Sequence, residues 1–219
     1  IPKIIMELNP ELLGQLSPET LAALMEVYNE KNNVKIEEDG FEKIDEDWEL
    51  SQFWYTKETA DNIILLIGNY AIRHKKENIA LLCAPSLYRA YLRNKDKLEG
   101  LNFALFEYDK RFSIFGDNFN FYDLNKPTEI DEKHYKKYDI LVADPPFLNK
   151  ETVQKVAESM KLLANGESLK IFITGLQVKD AVVGEFPELK LREEIKIEHD
   201  KQRLQNPFGL FCAVDLEKD

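Results

Sequence analysis

Only two of the 219 residues are cysteine, Cys83 and Cys212. Both sit in apolar runs and form no CxxC pair, so a disulfide framework is excluded and buried free thiols in a reducing compartment are expected. Histidine is almost as scarce. His74, His134 and His199 stand far apart, with no Cys or His at ligand spacing, and no metal site is read. No apolar stretch reaches the roughly 18–20 residues of a membrane span, and none opens the chain as a signal peptide. A cytoplasmic protein that engages no membrane is therefore expected. There is no G-x-G-x-x-G run to bring backbone close to a pyrophosphate, which disfavours NAD. Internal repeats and low-complexity tracts are also missing.

A strongly basic surface is lacking too. The net charge is −11, and it is unevenly spread. Residues 1–50 hold 13 acidic and 4 basic side chains, and the rest of the chain is close to neutral. Tight duplex binding depends on neutralising phosphates, so the absence of a basic stripe argues against a nucleic-acid partner. The acidity belongs to an N-terminal arm, residues 1–47, which is read as a solvated lead-in or as a lure for a basic protein surface.

What the chain does have is hydrophobic content of 44% and a regular rhythm. Ser17 can cap a helix with Pro18 in its first turn, and Leu21, Leu24, Met25 and Tyr28 then share a face. Residues 29–47 read as a linker, and 48–219 as one domain. Thr56 can cap a helix carrying Ile63, Ile64, Ile67 and Tyr70. Further helices are predicted over Pro85–Asn94 and Lys150–Leu163. Strands are predicted at Ile79–Cys83, Phe103–Glu107, Phe119–Tyr122, Asp139–Ala143, Ser168–Thr174, Leu189–Glu198 and Leu210–Val214. Short β-rich runs alternating with helices predict an α/β fold with a mostly parallel sheet covered on both faces.

In such a sheet, ligands bind beyond the carboxyl ends of the strands. Four exits carry polar residues: Ala84-Pro85-Ser86, Glu107-Tyr108-Asp109, Asp123 and Asp144-Pro145-Pro146-Phe147. Singly, Ser86 reads as a helix cap, and Glu107, Asp109 or Asp123 as loop acids. Recurring at successive exits, they point to a nucleoside site, with an acid ending the second strand to hold a ribose diol. A phosphate-free nucleoside such as S-adenosylmethionine fits. The Asp-Pro-Pro-Phe run is a rigid cup: the prolines have fixed φ and no N–H, Asp144 is a charged acceptor, and Phe147 is an aromatic wall. It suits an amino group held and presented to an electrophile. A second dense segment, Trp48 to Thr56, mixes Ser51, Gln52 and Thr56 with Phe53, Trp54 and Tyr55. It reads as a core plug or as a wrap around a cofactor, with Thr56 and the helix N-terminus facing a carboxylate.

These segments carry a resemblance. Asp47-Trp48-Glu49-Leu50-Ser51-Gln52-Phe53-Trp54-Tyr55, Ala84-Pro85-Ser86, Phe106-Glu107-Tyr108-Asp109-Lys110-Arg111-Phe112, Phe121-Tyr122-Asp123 and Ala143-Asp144-Pro145-Pro146-Phe147-Leu148 follow in the same order in a eukaryotic family. So does the helix Leu16-Ser17 to Leu24. From Leu16 to Cys212 the chain resembles the lysine methyltransferases of translation elongation factor 1-alpha, once labelled N6-adenine-specific DNA methyltransferases. The resemblance implies a class I, seven-strand, Rossmann-like methyltransferase with an N-terminal helical arm, using S-adenosylmethionine. By motif position Glu107 would hold the ribose, with Asp109 beside it, and Asp123 the adenine amino group. Ala84 and Ser86 would lie along the cofactor, and Gln52, Phe53, Trp54 and Thr56 would cover its methionine end. Asp144, Pro145, Pro146 and Phe147 would receive the target amine, and Asp144 would also border the cofactor. The implied substrate is elongation factor 1-alpha, a basic tRNA-binding protein that an acidic arm suits; a monomer that binds no nucleic acid directly is expected. The chain departs from the family at Phe147, where many relatives carry Tyr, and along Asn206–Cys212.

The chemistry sets a requirement. A lysine of pKa ≈ 10.4 is neutral only about once in 10³–10⁴ molecules at pH 7, so desolvation against Phe147 and in-line positioning are expected to dominate, with no strong general base. Adenine N6 is the rival substrate for the same cup. It requires base extraction and a basic channel, and this chain has neither the charge nor the length for one. A non-catalytic module on the same fold is disfavoured, because the acidic exits and the cup are all intact.

Overall fold

The computed structural model describes residues 44–47, 49–200 and 206–218. The predicted helix from Ser17, the acidic arm up to residue 43, and Trp48 lie outside the described residues.

Helix α1, Lys57–Arg73, forms because Ile63, Ile64, Ile67 and Ala71 fall on one buried face. Thr56 caps it, its side chain accepting the Thr59 N–H at 3.1 Å. Strand β1, Asn78–Leu82, leads into α2, Pro85–Arg93, with Pro85 at the helix start where its missing N–H is harmless. Then come β2, Asn102–Glu107, β3, Phe119–Phe121, and β4, Tyr138–Ala143. Helix α3, Lys150–Leu163, is capped by Asn149 and runs straight into β5, Ala164–Gly175. A seven-residue helix, Lys179–Glu185, precedes β6, Lys190–Leu191, and β7, Phe208–Cys212.

The seven strands lie in the order β3-β2-β1-β4-β5-β7-β6. The first five are parallel; β7 runs antiparallel to both β5 and β6. This is the mostly parallel, seven-strand Rossmann-like sheet expected of a class I methyltransferase. Alternate residues of the central strands face opposite ways. Ala80, Leu82, Leu141, Ala143 and Phe172 join one core cluster with Val153, Val156 and Met160 of α3. Their neighbours Ile79, Leu81, Ile140, Val142 and Ile171 are equally buried, so both faces are covered. Each buried Leu, Ile, Val, Met or Phe among them contributes about 1.5–3 kcal/mol by leaving water.

The predicted strand Leu189–Glu198 is the main correction. Only Lys190–Leu191 forms a strand on β7, with one further bond from the Arg192 N–H to the Leu210 carbonyl at 2.8 Å; the chain then turns, with the Ile195 N–H bonded to the Arg192 carbonyl at 3.2 Å. Glu193 and Glu194 are exposed, and two adjacent carboxylates fit a solvated turn better than a paired strand. The helix Lys179–Glu185 was not foreseen.

Chain order reverses between β1 and β4, which are hydrogen-bonded neighbours. The exits of β2, β1 and β4 are level: Leu82 pairs with both Phe106 and Ala143. Ladder-like bonds continue past the strand ends, from the Cys83 N–H to the Phe106 carbonyl at 2.9 Å and from the Asp144 N–H to the Leu82 carbonyl at 3.0 Å. The Tyr122 N–H reaches the Glu107 carbonyl at 3.0 Å. Glu107, Asp123 and Asp144, at or just past these bonds, therefore stand together at the strand exits.

Candidate active site

A cleft of about 310 Å³ sits at these exits, within the size range of small-molecule sites. Glu107, Asp123 and Asp144 line it from three different strand ends, and Ser86 from the first turn of α2. Pro145, Pro146 and Phe147 form one wall, and Gln52, Phe53 and Trp54 another. Ten of the thirteen residues singled out by sequence thus meet in one place.

Thr56, Ala84 and Asp109 do not line the cleft. Thr56 spends its hydroxyl on the N-terminus of α1. Ala84 is wholly buried where β1 turns into α2. Asp109 is buried and takes two contacts from the Arg111 Nε, at 3.1 and 2.8 Å, and one from Nη2 at 2.6 Å. Gln52 adds a hydrogen bond to Asp109 at 2.9 Å, while its own carbonyl oxygen accepts from Arg111 Nη2 at 3.0 Å and from the Asp47 N–H at 3.1 Å. Asp109 therefore anchors the cleft wall from behind.

Glu107 is buried, and its Oε1 accepts the Asp109 N–H at 3.0 Å. Burial pushes its carboxyl up to about 7, against the pull of that N–H. Asp144 is half-buried on the cleft wall. Burial pushes it up to about 7 as well, the Tyr55 hydroxyl pulls it back, and the negative charge of Glu107 adds to the rise. The site thus holds two interacting carboxylates with elevated pKa, a pattern that marks functional clefts. Asp123 is half-buried, and its Oδ1 accepts the Asn125 N–H at 2.8 Å.

Several lining residues escaped the sequence reading. Cys83, at the β1 exit, has φ +55°, the left-handed region, and bends the chain sharply into α2. Burial, then the charges of Glu107 and Asp144, raise its thiol pKa, so it stays protonated. His199 and Phe208 reach the cleft from the far end of the domain, with ring centroids 4.7 Å apart. Burial lowers the His199 pKa despite the opposing charge of Glu46, which keeps the ring neutral at pH 7. The exit rule applied to β1 would have found Cys83. His199 gave no signal, because it stands just past the predicted strand Leu189–Glu198 with no Cys or His at ligand spacing. Phe147 stands 46% exposed at the rim, and Leu148 behind it packs against Gly175, where a Cβ would lie 2.9 Å from the Leu148 Cδ1.

These features fit S-adenosylmethionine. Two carboxylates at adjacent exits can accept from ribose and adenine groups, and the volume suits a nucleoside. Among the described residues no group of three His, Cys, Asp or Glu could hold a metal ion, and no helix is long and apolar enough to cross a membrane.

Residues 46–216 match the family described as "Probable N6-adenine methyltransferase". A protein-lysine N-methyltransferase of Dictyostelium discoideum is 38% identical over 199 residues, covering 90% of this chain and 89% of its own length. The EEF1A lysine methyltransferase 1 of Gallus gallus is 42% identical over 168 residues, covering 72% of this chain and 76% of its own. Its Homo sapiens counterpart is 40% identical over 170 residues, with coverages of 74% and 77%.

Proposed function

The chain belongs to the family described as "Probable N6-adenine methyltransferase", and from that premise we propose that it methylates a lysine side chain of translation elongation factor 1-alpha in the cytoplasm. It is an S-adenosylmethionine-dependent methyltransferase. The observation that carries the proposal is the Asp144–Phe147 cup opening onto the same cleft as Glu107 and Asp123, in a chain about 40% identical to enzymes named for this substrate.

Glu107 and Asp123 would hold the nucleoside, with Ser86, Gln52, Phe53 and Trp54 along it. S-adenosylmethionine bound there supplies an electrophilic methyl carbon on a sulfonium. Asp144 accepts a hydrogen bond from the lysine amine, and the Pro145 carbonyl accepts a second. Phe147 desolvates the amine and lowers its pKa. The elevated pKa of Asp144 also lets its carboxylate oxygen take the departing ammonium proton more readily than an ordinary aspartate would. Holding the amine nitrogen in line with that methyl carbon would contribute several kcal/mol, on the order of a proximity effect.

The test is incubation of the protein with labelled S-adenosylmethionine and, in separate arms, purified elongation factor 1-alpha, a cell lysate and DNA. Label in the elongation factor, removed by mutating one of its lysines, is the expected result. Label in DNA alone would return the reading to adenine.

A further inference from the structure

None of the roles above uses Tyr55. Its ring is 4% exposed, and its hydroxyl is buried without a hydrogen-bond partner of good geometry. Such a group carries an uncompensated desolvation penalty, and a native protein rarely leaves one without a use. The hydroxyl lies beside the Asp144 carboxylate, close enough for each group to shift the other. Tyr55 is also held firmly. The flanking Thr56 N–H donates to the Glu198 carbonyl at 2.9 Å, the Asp200 N–H donates to the Trp54 carbonyl at 2.8 Å, and its ring lies 5.0 Å from that of His199.

The surroundings of Asp144 are short of donors. The next two residues are prolines and carry no backbone N–H, so the local chain cannot grip the carboxylate as an ordinary loop would. Glu107 and Cys83 face it from the exits of β2 and β1. One is an acceptor when ionised, and the other is a weak thiol donor. His199, whose ring packs on that of Tyr55, is kept neutral. The O–H of Tyr55 remains as the strong donor.

The structure assigns Tyr55 as a positioning residue, whose hydroxyl grips the Asp144 carboxylate so that one oxygen is presented to the incoming amine. The hydrogen bond closes when Asp144 ionises and substrate seats; catalytic hydrogen bonds are often loose before that. Without the grip the carboxylate rotates, and the amine loses its alignment. This inference rests on the methyl-transfer reading of the cleft and adds a residue to it.

The variant is Tyr55→Phe, tested first in the free enzyme with the Asp144 carboxyl carbon followed by ¹³C NMR titration. Loss of the donor moves the Asp144 midpoint upward by about one unit, the scale of a hydrogen bond to a charged group. Replacing Tyr55 with 3-fluorotyrosine, a stronger donor of nearly the same shape, moves it downward and carries the test if the phenylalanine variant does not fold. In turnover, Tyr55→Phe lowers kcat about 10–100-fold, leaves KM for S-adenosylmethionine within about twofold, and shifts the acidic limb of the pH profile upward. An Asp144 titration unmoved by either replacement overturns the assignment, whatever happens to kcat. The titration needs no protein substrate, so failure to label the elongation factor would refute the substrate and leave this result standing.

Discussion

The side-chain amide of Gln52 donates to Asp109 Oδ2 at 2.9 Å, joining residues 57 positions apart in the chain. This bond, with the Arg111 clamp, fastens the aromatic segment to the exit of β2. We expect Gln52→Ala to weaken S-adenosylmethionine binding about tenfold, or 1.4 kcal/mol, as the wall carrying Phe53 and Trp54 loosens. The stability cost should stay near 1 kcal/mol, because Arg111 still pairs with Asp109. Calorimetric titration and thermal unfolding give the two numbers; unchanged affinity would show that the wall needs no such fastening.

Asp144→Ala separates reaction from binding. Turnover should fall at least about 100-fold, the scale of a misplaced reactant, and cofactor affinity should change by less than about threefold. A variant with normal turnover would remove the cup from the mechanism.

Thr56→Ala tests the reassignment of that residue. Losing the cap should cost about 1 kcal/mol of stability and leave cofactor affinity within about twofold. A large loss of affinity with normal stability would restore Thr56 to the cofactor's methionine end.

The two raised carboxyls make stability depend on pH in a defined direction. Glu107 and Asp144 titrate near 7 in the folded protein, against ordinary values of 4.5 and 3.8. Between roughly pH 4 and 7 the folded state holds protons that the unfolded chain has released. Their stabilising contribution is complete below that window and is lost as pH rises through 7. The melting temperature of the free enzyme should therefore fall from pH 5 to pH 8, and Glu107→Gln should flatten the slope. Asp109 runs the other way: burial would raise it, but bonds from Arg111 and Gln52 outweigh burial and lower it. Its contribution is lost only in acid below its ordinary 3.8, outside the measured range. Cofactor affinity should rise over the same pH 5–8 interval, since a ribose diol needs the ionised Glu107 as acceptor.

The central sheet was legible because its strands are short, apolar and ended by distinctive residues. β1, β2 and β4 each begin one residue before the predicted start, and α3 spans its predicted range. The cleft was legible for a related reason: the level exits of a parallel sheet turn sequence position into spatial position. Side-chain partnership could not be read. Glu107 and Asp109 stand two apart and look equivalent in sequence, yet one opens on the cleft while Arg111 and Gln52 claim the other. Nor could His199 or Tyr55 be assigned, because their pairing joins segments 144 residues apart, and the intervening sequence carries no pattern for it.

That pairing has a consequence for how the enzyme comes into being. The cleft is walled by residues 52–54 near one end of the sheet domain and by His199 and Phe208 near the other. A nascent chain can lay down β1 to β4 without owning a finished cofactor site. Competence to bind arrives only when the strap 198–200 and strand β7 emerge and close onto a segment made some 140 residues earlier. Ligand binding then doubles as a check that synthesis of the domain has run to completion.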